Sequence, residues 1–535
     1  MSPLLKQILC SLLLVPAFAY PVLAQFTPPH IEWSKSFGGS DIDQPTSLEP
    51  TSDKGFIIAG SSTSADQDVA GHHGTTDFND YWIIKLDSTG NLQWQKSLGG
   101  TDEDLATSIQ QTSDGGYIVV GHSRSNDGDV AGNPPHTGDN YWVVKLNDNG
   151  SILWQYTYGG SGDDAANDIR QTADGGYIIA GYSYSSDGDI TGHHGTSSSA
   201  DFWIVKLNQL GNMQWQKSYG GSGDDIAYNI RQTGDKGYAV IGYSNSIDGD
   251  VTGNHGGQDY WIIKIDSLGN LQWEKSYGGT ANDNALSFDL TRDNGYILSG
   301  FTTSNDSNVT INRGQSDIWA VKLDSLGNLQ WQKSLGGSEI EAGYSVKQTF
   351  DGGFITCGIS SSIDGDLTKN QGGNDYWIAK LDASGKLEWQ SSIGGPGEDY
   401  ATCILQTSDS GFIVAGSSDD NGGDVTDNHD HEDYWVVKLG YQPVNTVRPA
   451  VNISSTAMNF PNPFRNRTQI QFGKAVDNPS ELVIYNILGE EIQSMKIPSE
   501  TESIIFNRGK LQAGVYVYRL FSGGMTIGQG RMIVE

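Results

Sequence analysis

Residues 104–160 read DLATSIQQTSDGGYIVVGHSRSNDGDVAGNPPHTGDNYWVVKLNDNGSILWQYTYGG. Four short apolar runs stand out: ATSIQQT, YIVVG, YWVVKL and ILWQYT. Each has strand length and is rich in β-branched and aromatic residues. DGG links the first pair and a DxxGN-type turn links the last pair. Both read as hairpin connections with Gly at the position that needs positive φ.

The stretch recurs along the chain, and two Trp columns measure its period. The first is Trp33, Trp94, Trp154, Trp215, Trp273, Trp331 and Trp389. The second is Trp82, Trp142, Trp203, Trp261, Trp319, Trp377 and Trp435. Trp33 to Trp94 is 94 − 33 = 61 residues and Trp331 to Trp389 is 389 − 331 = 58. These account for all 14 Trp, so the unit occurs seven times. Four antiparallel strands per unit predict an all-β fold, a seven-bladed β-propeller. An open solenoid would need capping repeats, and none is visible. The unit is offset at its ends. IEWSKSF (31–37) is a lone fourth strand, and the last unit stops after its third strand, YWVVKL (434–439). The two fragments are expected to pair and close the ring, which removes free sheet edges. An indole in every unit, followed by Gly-Gly, suits packing of the ring on a neighbouring blade's backbone, and stacking on sugars is the competing use.

The 535 residues include 32 basic and 64 acidic ones, a net charge of −32. That excludes a basic nucleic-acid or polybasic membrane footprint. Hydrophobic content of 36 % with 18 % charged argues for packed domains, and 69 Gly argues for many turns. Cys10, Cys357 and Cys403 do not form a disulfide framework. Residues 1–24, with Lys6 ahead of an apolar stretch and Val22-Leu23-Ala24 at its end, read as a secretory signal cleaved before Gln25. No later run is long and apolar enough to span a membrane as a helix. The expected organisation is signal peptide 1–24, propeller 25–440, linker 441–457 and a C-terminal domain 458–535.

Chain direction puts the two short hairpins of each unit at one end of the ring and two longer, acidic loops at the other. Function is expected at the loop end. The loops between second and third strands carry Asp127/Asp129, Asp187/Asp189, Asp248/Asp250 and Asp364/Asp366. Alternate carboxylates around Gly suit Ca²⁺, and the same spacing suits Asx-type turn capping. The loops before each first strand add Asp43, Asp104, Asp164, Asp225, Asp283, Glu341 and Asp399. Eight of ten His also fall in the first set of loops, including His72, His73, His193, His194, His255 and His429. They are too irregular for a repeated Zn²⁺ or Cu²⁺ site. The first-strand column Glu49, Gln110, Arg170, Arg231, Asp289, Lys347, Leu405 varies freely, either as a channel lining or as tolerated substitution. No nucleophile elbow, phosphate loop, HExxH or paired-Cys motif occurs.

Leu86 to Trp94 (LDSTGNLQW) resembles the tryptophan-docking repeats of quinoprotein-type propellers, and the whole unit is similar to sixty-residue propeller repeats of bacterial surface proteins. That resemblance implies fold rather than activity. Residues 458–535 carry eight basic and seven acidic residues, so the acidity belongs to the repeats. Their runs TQIQF, ELVIYNI, EIQSMKI, ESIIF, GVYVYRL and RMIVE predict a small immunoglobulin-like β-sandwich. Asn459-Phe460-Pro461-Asn462-Pro463-Phe464, Tyr485-Asn486-Ile487-Leu488-Gly489, Ala513-Gly514-Val515-Tyr516 and the ending Gly530 to Val534 resemble the type IX secretion C-terminal sorting domain of Bacteroidota. The resemblance implies engagement of the type IX secretion machinery and release or attachment outside the outer membrane. The expected role is non-catalytic: binding an extracellular glycan or protein, adhesion or scaffolding, through an acidic face that holds Ca²⁺ if the loops are metal sites. A secreted propeller enzyme, a polysaccharide hydrolase or lyase or a quinoprotein-like enzyme, is the alternative.

Overall fold

Each apolar run of the repeat becomes a strand. In the second unit these are Asp104–Gln111, Tyr117–Ser123, Asn140–Leu146 and Ile152–Tyr158, antiparallel and in that order. The computed structural model describes residues 28–134, 138–429, 431–440, 458–472, 480–486, 491–509, 511–522 and 525–535. The leader read at 1–24, the linker read at 441–457 and His136 lie outside them. The described residues form strands and turns without a helix, so none is long and apolar enough to cross a membrane. The chain divides into two compact units, residues 1–444 and 445–535.

The first unit contains seven four-stranded antiparallel sheets in a propeller-like arrangement. Six are continuous in sequence. The seventh combines Asp399–Gln406, Phe412–Ser418 and Asp433–Leu439 with the N-terminal strand Ile31–Phe37. There Ile31 pairs with Leu439 and Phe37 with Tyr434.

The third strands are buried at every position, although one sheet face alone would call for alternation. The reason is that both faces are covered. Trp142 and Val144 pack with Ile57 and Tyr81 of the preceding sheet, whereas Tyr141 and Val143 pack with Trp203 and Val205 of the following one. Successive sheets are also stapled by aromatic pairs. Tyr81 lies 4.5 Å from Trp142 and donates its hydroxyl to the Trp142 carbonyl at 3.1 Å. Tyr141–Trp203, Tyr260–Trp319 and Tyr376–Trp435 repeat the arrangement. The same staple crosses from the last sheet to the first: Tyr434 is 4.5 Å from Trp82 and donates to its carbonyl at 3.0 Å.

The two Trp columns separate by burial. The second column is fully buried, and its indole N–H reaches a Gln or Glu on the adjacent fourth strand, as Trp82 Nε1 does to Gln95 at 3.0 Å. The sheet completed by Ile31–Phe37 breaks this rule. Ser34 occupies the Gln position, and Trp435 Nε1 is buried without a partner. The first column is half-buried, and its ring rests on the glycine of the next unit's last turn. A Cβ at Gly90 would lie 2.8 Å from the Trp33 ring, and Gly90 has φ +77°. The indole therefore does dock on a neighbouring backbone. The glycine it uses is in the turn, and the Gly-Gly after the fourth strand serves another purpose, described below.

A buried Lys column went unread in the sequence. Lys85, Lys145, Lys206, Lys264, Lys322, Lys380 and Lys438 sit in the third strands, and each ammonium meets a hairpin Asp at 2.9–3.1 Å. Lys85 also donates to the Leu86 carbonyl, so the buried charge is both paired and hydrogen-bonded.

The second unit contains a three-stranded sheet (Met458–Phe460, Arg467–Gln471, Ser503–Asn507) and a four-stranded sheet (Glu491–Ile497, Ser480–Tyr485, Gly514–Ser522, Met525–Val534). Both contribute to one core containing Phe464, Ile470, Leu482, Phe506, Tyr518 and Met532, as a small sandwich requires. The Asn462 side chain straps the opening segment to the last strand, accepting from Ile533 N at 2.7 Å and donating to Arg531 O at 2.8 Å.

Candidate functional site at the loop end of the central cavity

At the loop end, the eight repeated aspartates divide into two jobs. The first of each pair holds the loop that enters its unit. Asp127 accepts from Thr101 N at 2.8 Å and Thr101 Oγ1 at 2.9 Å, and Asp187, Asp248 and Asp364 accept from Ser161 N, Ser222 N and Ser338 N at 2.7–2.8 Å. The second closes on the Gly-Gly segment. The amides of Asp129, Asp189, Asp250 and Asp366 donate to the carbonyls of Gly99, Gly159, Gly220 and Gly336. The first is side-chain capping of a turn and the second a backbone closure, both repeated from unit to unit. Among the described residues no group of three or more His, Cys, Asp or Glu is arranged to hold a metal ion.

Behind these loops lies a second ring of acids. In most units the Asp that opens the first strand faces the Asp that opens the preceding unit's third strand, as Asp104 faces Asp80, Asp225 faces Asp201, and Asp43 faces Asp433 across the last and first sheets; Asn140 and Glu341 are the departures. All are buried. Asp104 Oδ2 accepts from Gly100 N and Ser125 Oγ at 2.8 Å, and the Ser123 hydroxyl lies against its other side. Burial outweighs these hydrogen bonds and raises Asp43, Asp104, Asp225 and Asp399 to about 7. Asp164, Asp259, Asp317 and Asp433 rise to about 6 for the same leading reason. The first glycine of each Gly-Gly is needed here, because a Cβ at Gly99 would run into both Asp80 and Asp104.

Two of the loop histidines, His73 and His194, bridge sheets. His73 Nδ1 meets buried Asp80 at 2.8 Å, and its Nε2 points to Asp129 of the next unit at 3.7 Å. His194 repeats this with Asp201 and Asp250. In the fifth unit Arg313 takes the place, 2.9 Å from Asp366. In the sixth Gln371 does, donating to Asp424 at 2.7 Å. An Arg has no lone pair for a metal, so what the position requires is an N–H donor.

These latches repeat and are internally satisfied. The chain breaks its own pattern at the central cavity, about 250 Å³ and lined by the first strands of all seven sheets. Each first strand carries a β-bulge, between Ala106 and Ser108 in the second unit. The extra residue is Thr46, Thr107, Asn167, Tyr228, Leu286, Tyr344 or Thr402, and every one lines the cavity, as a bulge that re-aims a side chain would. Toward the hairpin end Arg170 bridges Glu49 and Asp168, at 3.0 Å from Asp168 Oδ1, and Arg231 pairs with the other Asp168 oxygen. Of that column, Glu49, Arg170, Arg231, Lys347 and Leu405 line the cavity.

At the loop end, one second-strand column is Ser61 and Ser417 in the first and seventh units but His122, Tyr182, Tyr243, Phe301 and Ile359 in units two to six. Tyr182 stands 5.9 Å from Tyr184, edge to face, and Tyr243 stands 6.1 Å from Tyr228. Burial and then the neighbouring Tyr184 and Asp139 push Tyr182 to about 12, so the phenol stays a donor. Asp224 and Asp163 are close enough to raise Tyr184 further. Burial lowers His122 against the fields of Asp139 and Glu103. The Arg124 guanidinium beside them is held by Asp139 through Nε at 2.8 Å and Nη2 at 3.1 Å. Sequence reading missed this cluster because its members come from different units and their columns vary freely, with Phe301 and Ile359 in the column of Tyr182 and Leu286 and Tyr344 in that of Tyr228.

The C-terminal unit is decided by comparison with known families. Residues 459–535 match the secretion system C-terminal sorting domain. The domain marks the chain for secretion, with attachment to the outer cell surface or extracellular release. The chain is similar to the regulatory protein FlaEY of Caulobacter vibrioides, 24 % identical over an alignment of 344 residues that covers 58 % of this chain and 35 % of that protein. The match thus spans about a third of the relative's length. Among solved structures, a puromycin hydrolase aligns at 11 % identity with a TM-score of 0.43, covering 82 % of this chain and 60 % of that one. A member of the duf4221 family from Bacteroides vulgatus aligns at 8 % with a TM-score of 0.33, covering 77 % and 97 %. Scores this low carry no argument about activity.

Proposed function

We propose that residues 25–440 form a closed seven-bladed propeller, joined by residues 441–457 to the sorting domain at 458–535, and that it works outside the cell as a non-catalytic binding protein. The pairing of Ile31–Phe37 with Asp433–Leu439 and the Tyr434–Trp82 staple support closure. The observation that carries the binding role is the cluster His122, Tyr182, Tyr184, Tyr228 and Tyr243 at the loop end of the cavity. Half-buried aromatic residues beside polar groups, gathered where a repeat departs from itself, are the ordinary makings of a ligand site. The repeated aspartates of the loops serve as latches that hold the site's rim.

The purified full chain, applied to glycan and peptide arrays, is expected to retain a ligand that the Tyr182→Ala/Tyr243→Ala double variant loses. Turnover of a polysaccharide that disappears in His122→Ala would refute the non-catalytic reading. An imaged particle without a closed ring of seven sheets would refute the architecture.

A further inference from the structure

The charge at the loop-end mouth points to a ligand class, and resting on the binding role just proposed, we propose that the mouth captures an alkylammonium group, as on a polyamine or a lysyl side chain. The residue just before the first strand is Glu103, Asp163 and Asp224 in units two to four, and these three form an acidic rim. Asp163 Oδ1 accepts from Asp139 N and Asp224 Oδ1 from Ala200 N, both at 3.1 Å, so one oxygen of each is latched. Glu103 is tied in the same way to Asn79 at 2.7 Å. The nearby Arg124 is neutralised by its two-point contact with Asp139 and does not offset the rim. Inside the rim stand the faces of Tyr182, Tyr184 and Tyr243, whose negative quadrupoles favour a cation, most strongly where water is displaced. A third observation asks for a donor. His122 Nδ1 is buried without a partner, and burial keeps the ring neutral; with its proton on Nε2, Nδ1 is an acceptor with nothing to accept. An ammonium group supplies charge for the rim, a cation for the rings and an N–H for His122. An anion meets repulsion, and a neutral sugar leaves the rim's charge unused.

The test is calorimetric titration of the full chain with spermidine and, separately, with a tetralysine peptide; the two arms distinguish a free polyamine from a lysyl chain. Saturable binding that weakens with salt is expected. Asp163→Asn and Asp224→Asn should each weaken it roughly tenfold, the effect of one charge several ångströms away at a partly screened site. The fold should be unaffected, because Asn282 already fills this place in the fifth unit and accepts from Gln258 N at 3.1 Å. Tyr182→Phe should retain binding and Tyr182→Ala should lose it. Asp148→Asn, on a distant turn, should change nothing, which separates a site from diffuse attraction to an acidic protein. Absence of binding at millimolar spermidine and tetralysine, or binding indifferent to Asp163 and Asp224, overturns the assignment. If a neutral oligosaccharide binds instead and Tyr182→Ala abolishes that, the binding role survives and the ammonium assignment falls. If Tyr182→Ala/Tyr243→Ala alters binding of no array ligand, both fall.

Discussion

Replacing Asp104 by Asn should make the protein less sensitive to alkali. Asp104 is buried, faces Asp80, and is raised to about 7 because burial outweighs the donors Ser123, Gly100 N and Ser125. Its ordinary value is 3.8. The folded state therefore binds a proton that the unfolded state has released, and stability must fall as pH rises through the folded value. From pH 5 to pH 8 this one group costs roughly 2–3 kcal/mol, the integral of the proton difference at about 1.4 kcal/mol per unit. An Asn at 104 keeps an oxygen for Gly100 N and Ser125 Oγ and turns an N–H toward Ser123, whose hydroxyl oxygen can accept it. With about 2 cal/mol/K per residue over about 400 residues, the expected effect on the midpoint is about 3 °C. Melting curves at half-unit intervals from pH 5 to 8 should show the wild-type midpoint falling, and the variant gaining about that much on it by pH 8. A wild-type midpoint that is flat or rises over this range, or a variant with the same slope, would refute the account of the buried acid pairs.

Four further outcomes follow from particular contacts. Ser34→Gln should supply the missing acceptor to Trp435 Nε1 and raise stability by about 1 kcal/mol in chemical denaturation. Tyr434→Phe removes the hydroxyl that reaches Trp82 O and should cost about 1 kcal/mol, with the ring stack retained as Phe202 retains it on Trp261. Removal of residues 459–535 should leave the protein inside the outer membrane, read by fractionation; unchanged surface or extracellular protein would count against the sorting role. Millimolar Ca²⁺ or a chelator should shift the midpoint by less than about 1 °C, since Asp127, Asp187, Asp248 and Asp364 are occupied by backbone donors. A larger shift would establish the loops as calcium sites.

What the sequence makes legible is whatever repeats within a single unit. Strand lengths, turn glycines and the two Trp columns are local patterns, and a fixed period copies them. The fragment at 31–37 is also legible, because it lacks three companions that the end of the last unit can provide. The buried Asp pairs are harder. Asp80 and Asp104 belong to different sheets, and nothing in the linear pattern says that two acids on the loop side share one buried space. The Lys column was open to inspection, since a Lys in an otherwise apolar strand requires a partner, and Asp53 waits in the adjacent hairpin. Gly-Gly was assigned to the wrong neighbour because two kinds of glycine sit near each indole, and only the turn glycine touches it. The Tyr cluster was hidden for the opposite reason: its columns vary freely, and variation looks like noise until the fold brings three units together.

The joint between Ile31–Phe37 and Asp433–Leu439 also imposes an order in time. A chain emerging from the ribosome N-terminus first holds its opening ribbon without a berth until some four hundred later residues have appeared. Throughout that interval the opening sheet lacks Tyr434 over Trp82. This docking of two distant segments cannot precede the appearance of both, and a protein kept threaded through a membrane pore has no means of completing it until both are on the same side.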